Sequence, residues 1–306
     1  MKTWAFVAAA AALFGCSEDN FDPGYRVTTT RILAVQANLP YAAPGEEISL
    51  EALGHDHAGR PITWAWATCP NPTSATPSAC LAKIGEDARQ SGKPSAIHMG
   101  EGESRFTFKV PDDALSSLPE GARAGAMVGV AVVACPGTLS LAEGDVVPVR
   151  CTDASGQVLP LEAFDIGVKR IFVRARDRNA NPVFADVSWD GAPWPENEVK
   201  EVKPCDDASK NDYEACDGDK HRIAAHVTKE SYESGTDEHG ARFDEQLVAQ
   251  YYATEGIFES SVRRADSPET GFVARKGASG STVTLWFVVR DDRGGVSWAT
   301  RSVRVR

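Results

Sequence analysis

Apolar side chains recur at every second position along much of this chain, and that period commits it to β-structure. In residues 62–66, Ile62, Trp64 and Trp66 share one side while Thr63 and Ala65 take the other. A strand points successive side chains to opposite faces, so such a run is built to bury one of them. The same alternation runs through residues 48–53, and Val283, Leu285, Phe287 and Val289 form one face of residues 282–289. Tryptophans on such a face have the bulk to fill the space between two sheets packed about 10 Å apart. Ala43-Pro44-Gly45-Glu46-Glu47 supplies a turn before one strand. Asp291-Asp292-Arg293-Gly294-Gly295 supplies glycines for a hairpin reversal after another. A 3.6-residue period is not sustained anywhere. Residues 112–118 alone read as helical, over about two turns, so a βαβ enzyme scaffold is not expected.

The pattern predicts an all-β chain of two tandem β-sandwiches, residues 30–176 and 181–306, with a boundary turn at 177–182. The stretch 69–104, rich in Pro, Ser, Ala and Gly, reads as a long polar loop that adds little core. The acidic segment 192–243 reads as an insert in the second sandwich.

The N-terminus sets the compartment. Lys2 gives a positive start and residues 5–13 are apolar, far short of the roughly 20 residues of a membrane-spanning helix. This is the layout of a secretory signal peptide. Leu13-Phe14-Gly15-Cys16 resembles the bacterial lipoprotein processing box, in which the cysteine is lipidated and becomes the new N-terminus. The resemblance implies a signal peptide at 1–15, acyl chains such as palmitate on Cys16, and a tether at 16–29. It implies a membrane partner reached through the N-terminal lipid. Ser17, rather than Asp, after the cysteine implies the outer membrane, on its periplasmic or cell-surface face.

Export to an oxidising compartment gives the remaining cysteines a purpose. Setting Cys16 aside leaves Cys69, Cys80, Cys135, Cys151, Cys205 and Cys216, an even set suited to disulfides. Sequence does not choose among their pairings, although proximity suggests 69–80, 135–151 and 205–216. Loops this short are worth ~3 kcal/mol each in the chain-entropy account. No C-x-x-C occurs, which speaks against zinc. Acidic residues outnumber basic ones by 43 to 32, for a formal net charge of −11. With no basic run, nucleic acid is not an expected partner.

Val35-Gln36-Ala37, Ala43-Pro44-Gly45-Glu46, Leu50 and Ile62-Thr63-Trp64-Ala65-Trp66 together resemble immunoglobulin-like or PKD-like modules of bacterial surface proteins. Residues 252–258, Val283-Thr284-Leu285-Trp286 and the 291–295 turn look like the second half of such a module. The whole arrangement is similar to secreted lipoproteins of myxobacteria and related δ-proteobacteria. The resemblance implies scaffold or adhesion roles and assigns no activity.

The chain lacks a Gly-x-Ser-x-Gly elbow, a phosphate loop, a dinucleotide fingerprint and His-Glu-x-x-His. The expectation is therefore a non-enzymatic envelope lipoprotein without a resident cofactor, binding another envelope protein or a surface glycan. His55-Asp56-His57 falls at a turn and reads as exposed. Calcium favours closely spaced carboxylates and carbonyls, which makes Asp206, Asp207, Asp217 and Asp219, near Cys205 and Cys216, a candidate set, set against the plainer reading of an acidic, solvated loop tied by a disulfide. Trp194, in Ala192-Pro193-Trp194-Pro195, is the candidate exposed aromatic for recognition, set against a reading in which it folds back over the open end of its own domain.

Overall fold

The structure, a computed structural model, describes residues 22–306 except 73, 75, 92–97, 102, 143–148, 175, 177, 207–211 and 238–239. The signal peptide 1–15, Cys16, Ser17 and the start of the tether lie outside the described residues, as does Asp207.

The first sandwich contains β1 (Arg31–Ala37), β2 (Tyr41–Ala42), β3 (Glu47–His55), β4 (Thr63–Pro70), α1 (Pro77–Ser91), β5 (His98–Glu101), β6 (Arg105–Lys109), β7 (Met127–Cys135), β8 (Thr138–Leu141), β9 (Val149–Thr152) and β10 (Asp165–Val173). One sheet has the order β1-β3-β6 and the other β2-β10-β7-β4-β5. Pro40 cannot donate to a ladder, and around it the first strand leaves the β1-β3 pairing to run parallel to β10 as β2. This edge switch, with antiparallel pairing elsewhere, is the immunoglobulin-like arrangement. Trp64 and Trp66 stack at 6.3 Å and Trp66 stacks on Phe106 at 5.7 Å, bridging the sheets. Ile48, Leu50, Val128, Val130, Val132 and Ile171 close around them.

The 69–104 stretch departs from its expected polar loop. It holds α1 and β5, and α1 lies on the outer face of the second sheet. Leu81 and Ile84, one helical step apart, are buried with Ala67, Cys69, Cys80 and Ala131. This cover explains why β7 is buried on both faces. Gly129 in β7 is required there, since a Cβ would stand 2.6 Å from Cys69 Sγ. Residues 112–118, expected to be helical, form turns between Pro111 and Pro119. Proline ahead removes the donor that a longer helix would need.

The second sandwich contains β11 (Phe184–Trp189), β12 (Ala192–Pro193), β13 (Val199–Val202), β14 (His221–Val227), β15 (Ser234–Thr236), β16 (Arg242–Asp244), β17 (Leu247–Ala253), β18 (Ile257–Phe258), β19 (Val262–Arg264), β20 (Thr270–Val273), β21 (Thr282–Asp291) and β22 (Val296–Val305). Its sheets have the orders β12-β11-β14-β20-β18 and β13-β22-β21-β17-β19, with β13 parallel to β22. The edge switch of the first sandwich is thus repeated. The segment 192–243 is no appendage, because β14 is a central strand and Ile223, Ala224 and Ala225 are buried. Most of its described acidic residues, Glu201 of β13 aside, lie in the connections between these strands, which is why the segment reads as an insert. Among the described residues, no helix is long and apolar enough to cross a membrane.

Candidate functional site

The cysteines pair as 69–80, 135–151 and 205–216, with Cα separations of 5.5, 5.8 and 5.3 Å. Trp194 is corrected from an exposed aromatic to a core one, 1% exposed. Its backbone amide donates to Val187 O and its Nε1 to Glu198 O at 2.8 Å, while the ring meets Trp189 and Phe287 edge-on. Trp194 directly follows β12, which pairs with β11, and this pairing places the indole inward.

Of the calcium candidates, Asp206, Asp217 and Asp219 are described. Asp217 Oδ1 accepts from the Asp206 amide and Asp219 Oδ2 from the Lys203 amide. Lys203 stands 3.8 Å from the Asp206 carboxylate, and Lys276 Nζ donates to Asp206 O. Asp217 and Asp219 thus cap backbone amides, while the Asp206 carboxylate meets Lys203. Among the described residues, no three His, Cys, Asp or Glu side chains are grouped to hold a metal.

Concave, polar structure lies instead where the sandwiches meet. The expected tether is docked from Asp22 onward. Tyr25 packs edge-on against Phe258 at 5.0 Å, Ala253 N donates to Tyr25 O, and Val27 N donates to Ala253 O. Val27 is buried with Leu33 and Trp286, one from each sandwich. Arg26 is buried and pairs with Asp22 and Glu255. Thr30 Oγ1 donates to Asp56 at 2.6 Å, and Arg60 gives that carboxylate its Nε, Nη2 and backbone amide. Burial opposes ionisation of Asp56, but the Arg60 and Thr30 donors prevail and hold its carboxyl well below the usual range. Asp56 is buried, not exposed as its turn position suggested. His55 packs on Trp286 at 4.8 Å.

The β21–β22 hairpin completes the interlock. Ala34 of the first sandwich packs with Val288 and Val296 of the second. Gln36 Nε2 donates to Val296 O at 2.7 Å, and Asn181 links Ala37 O to the Val296 amide. Gly295 is obligatory, because a Cβ would lie 2.7 Å from Ala180 O and closer still to the Asp291 carboxylate. Arg293 reaches across with its guanidinium 4.2 Å from the Phe243 ring centre and 5.0 Å from that of Tyr41. Glu233 and Glu245 pair with it at 3.0 and 3.4 Å. Burial, joined by the Asp291 and Glu233 charges, pushes the Glu245 carboxyl up to about 7 against the pull of Arg293.

Two concavities flank this seam. One, of about 390 Å³, lies among β1, β10 and the hairpin, and its lining includes Lys169, Arg170, Arg290, Asp291 and Asp292. The other is an open groove of about 520 Å³ bordered by Gln36, Glu51, Pro182, Val183, Phe184 and Trp298. Both sizes suit small ligands or a short segment of a partner. Sequence reasoning passed over these residues, yet Lys169 carried a signal. It falls in phase with Ile171 and Val173, which are fully buried, so its side chain must leave the strand on the inward face.

The sequence matches no protein-family model and no curated protein. Solved structures with some likeness include latent PorU of Porphyromonas gingivalis, 11% identical, TM-score 0.22, over 92% of this chain and 24% of that one. The D0-D1 domain of intimin is 10% identical, TM-score 0.22, over 89% and 98%. The adhesin InvE of Yersinia pseudotuberculosis is 8% identical, TM-score 0.21, over 88% and 58%. This chain spans about a quarter of the PorU chain. The fold and sites described above rest on the chain's own geometry.

Proposed function

We propose that this chain is a non-catalytic envelope lipoprotein, anchored to the outer membrane through Cys16, whose paired sandwiches bind another envelope protein. The resemblance to myxobacterial surface lipoproteins belongs to the same reading. The observation that carries it is the interlock. The docked segment 22–30 (here the strap), the β21–β22 hairpin and the Arg293 cation–π clamp hold two sandwiches in one arrangement, and a binding surface fixed in advance loses less entropy when a partner docks. Binding would use the Val183–Trp298 groove, where Val183 is 56% exposed.

A photo-crosslinking residue at Val183, in cells carrying the intact anchor, should join the chain to one envelope protein in defined yield. Trp298→Ala should abolish that product while leaving the melting curve within a few degrees. Crosslinks spread evenly over many proteins and unaffected by Trp298→Ala would sink the reading. For the anchor, Cys16→Ser should move the protein into the aqueous phase of a detergent split, and an unaltered partition would refute lipidation.

The second reading is glycan binding, favoured by the half-buried Trp298 beside Glu51 and Gln36 in that groove. Aromatic faces stack on sugars while polar neighbours take the hydroxyls. Retention on immobilised surface polysaccharide, lost in Trp298→Ala, would select it.

A further inference from the structure

The cleft among β1, β10 and the hairpin holds charges of both signs, but its carboxylates are the better satisfied. Asp291 accepts from the Arg293 and Gly295 amides and from Asn179 Nδ2. Asp292 accepts from the Gln246 amide. On the cationic side, Arg290 gives its Nε to Gln250 and a terminal nitrogen to Leu33 O. Exposed Arg170 has no hydrogen-bond or ion-pair partner among the described residues. Lys169 is 9% exposed. Its amine donates to Gly294 O at 2.5 Å and forms no ion pair among the described residues. An ammonium offers three donors, so two remain.

A buried ammonium without an ion-paired carboxylate is costly, and the amine shows the effect. Burial pulls Lys169 down to about 8, opposed by Asp291, with Arg290 and Arg170 adding to the fall. The β1 wall, Ile32, Leu33, Ala34 and Val35, brings no charge to offset it.

We infer that this cleft binds a carboxylate, with the Lys169 ammonium as its buried partner and Arg170 on its exposed wall. The inference goes beyond the binding role proposed above, because this cleft shares no lining residue with the Val183–Trp298 groove. A carboxylate entering the cleft would take the spare Lys169 donors as charge-assisted hydrogen bonds, which are stronger than neutral ones. Acidic side chains of a peptide and uronates of a glycan both carry this group.

The test is calorimetric titration of the purified chain with two probes, an acetylated diglutamate peptide and glucuronate, at matched ionic strength. At least one should bind with unit stoichiometry at pH 7, and the probe that binds identifies the source. Affinity should fall about tenfold by pH 9, as an amine of pKa about 8 loses its charge. Lys169→Met should abolish binding and Arg170→Gln should weaken it about threefold. Should Lys169→Met fail to fold, NMR titration of the Lys169 side chain in the unaltered protein decides, since a bound carboxylate must raise its pKa. Failure of both probes at about 10 mM, equal affinity at pH 7 and 9, or an unmoved Lys169 titration would overturn the inference. The Val183 crosslink needs no carboxylate, so the two proposals fail separately.

Discussion

Two buried carboxylates of this chain respond to acid in opposite directions. Asp56 accepts four hydrogen bonds, from Thr30 and three Arg60 donors, and its folded pKa lies well below the ordinary carboxylate range. Its contribution is present above the unfolded pKa and is lost as pH falls through the folded one. Asp56→Ala leaves the Thr30 hydroxyl and an Arg60 amide without their acceptor, so a loss of about 2–4 kcal/mol is expected in urea unfolding at pH 7. The variant should also lack part of the wild-type protein's steepening below pH 4. Glu245 works the other way. Its carboxyl is raised from 4.5 to about 7, so the folded chain holds a proton that the unfolded chain has released. Stability from this group is complete below about pH 4.5 and declines as pH rises to about 7. Glu245→Gln should flatten that decline and raise stability at pH 8 by about 1–3 kcal/mol. A variant that follows the wild-type pH curve would show that Arg293 keeps Glu245 ionised.

At the scale of elements, the strap and α1 are the pieces that sequence conceals. Strands were legible because one apolar face every second residue cannot be made from anything else; β4 and β21 read directly from Trp64, Trp66, Val283 and Phe287. In α1 the buried positions include Leu81 and Ile84, with Ala, Gly, Lys and Glu around them. So narrow a stripe gives no usable period, and short helices draw their stability from tertiary packing. Here the 69–80 disulfide and the β7 face provide it. Replacing Cys69 and Cys80 with Ser should cost about 2–4 kcal/mol, with amide exchange rising in residues 77–86 before β7 is affected. The strap hides for a different reason. Its sequence is polar, and Tyr25 and Val27 find apolar partners only after both sandwiches have formed. Val27→Ala should cost about 1–3 kcal/mol and speed exchange of the Ala253 amide, which donates to Tyr25 O. Unchanged protection at Ala253 would mean the strap is held by Arg26 and Tyr25 alone. At Trp194 the prolines suggest a rigid turn, but Pro193 belongs to β12, and whether the indole recognises a partner or folds back on its own domain depends on that strand's pairing with β11. Lys169 was readable by phase alone, but the hairpin that closes over it was not, because long-range docking leaves no local period.

For the whole molecule, the question is whether two immunoglobulin-like sandwiches behave as one unit. Tandem domains ordinarily move independently unless their interface is large and apolar. This seam buries Val27, Leu33, Ala34, Trp286, Val288 and Val296 and adds hydrogen bonds from Gln36, Asn181 and Lys169. Each sandwich also has its own core around its own tryptophans, so either could persist alone if the seam were broken. A seam of this kind predicts one endotherm in calorimetry, with calorimetric and van't Hoff enthalpies equal across both sandwiches. Gly295→Val is the discriminating variant. The added side chain would strike the Asp291 carboxylate and Ala180 O, displacing the 291–295 turn from the seam while the core positions of β21 and β22 stay in place. The expected outcome is two resolved transitions, the coupling lost being about 2–4 kcal/mol. Two transitions in the unaltered protein would show sandwiches that merely touch, and the fixed arrangement on which the binding role depends would go with them. A single transition in Gly295→Val at a lowered temperature would instead place the coupling in the strap, and Val27→Ala combined with Gly295→Val should then divide it.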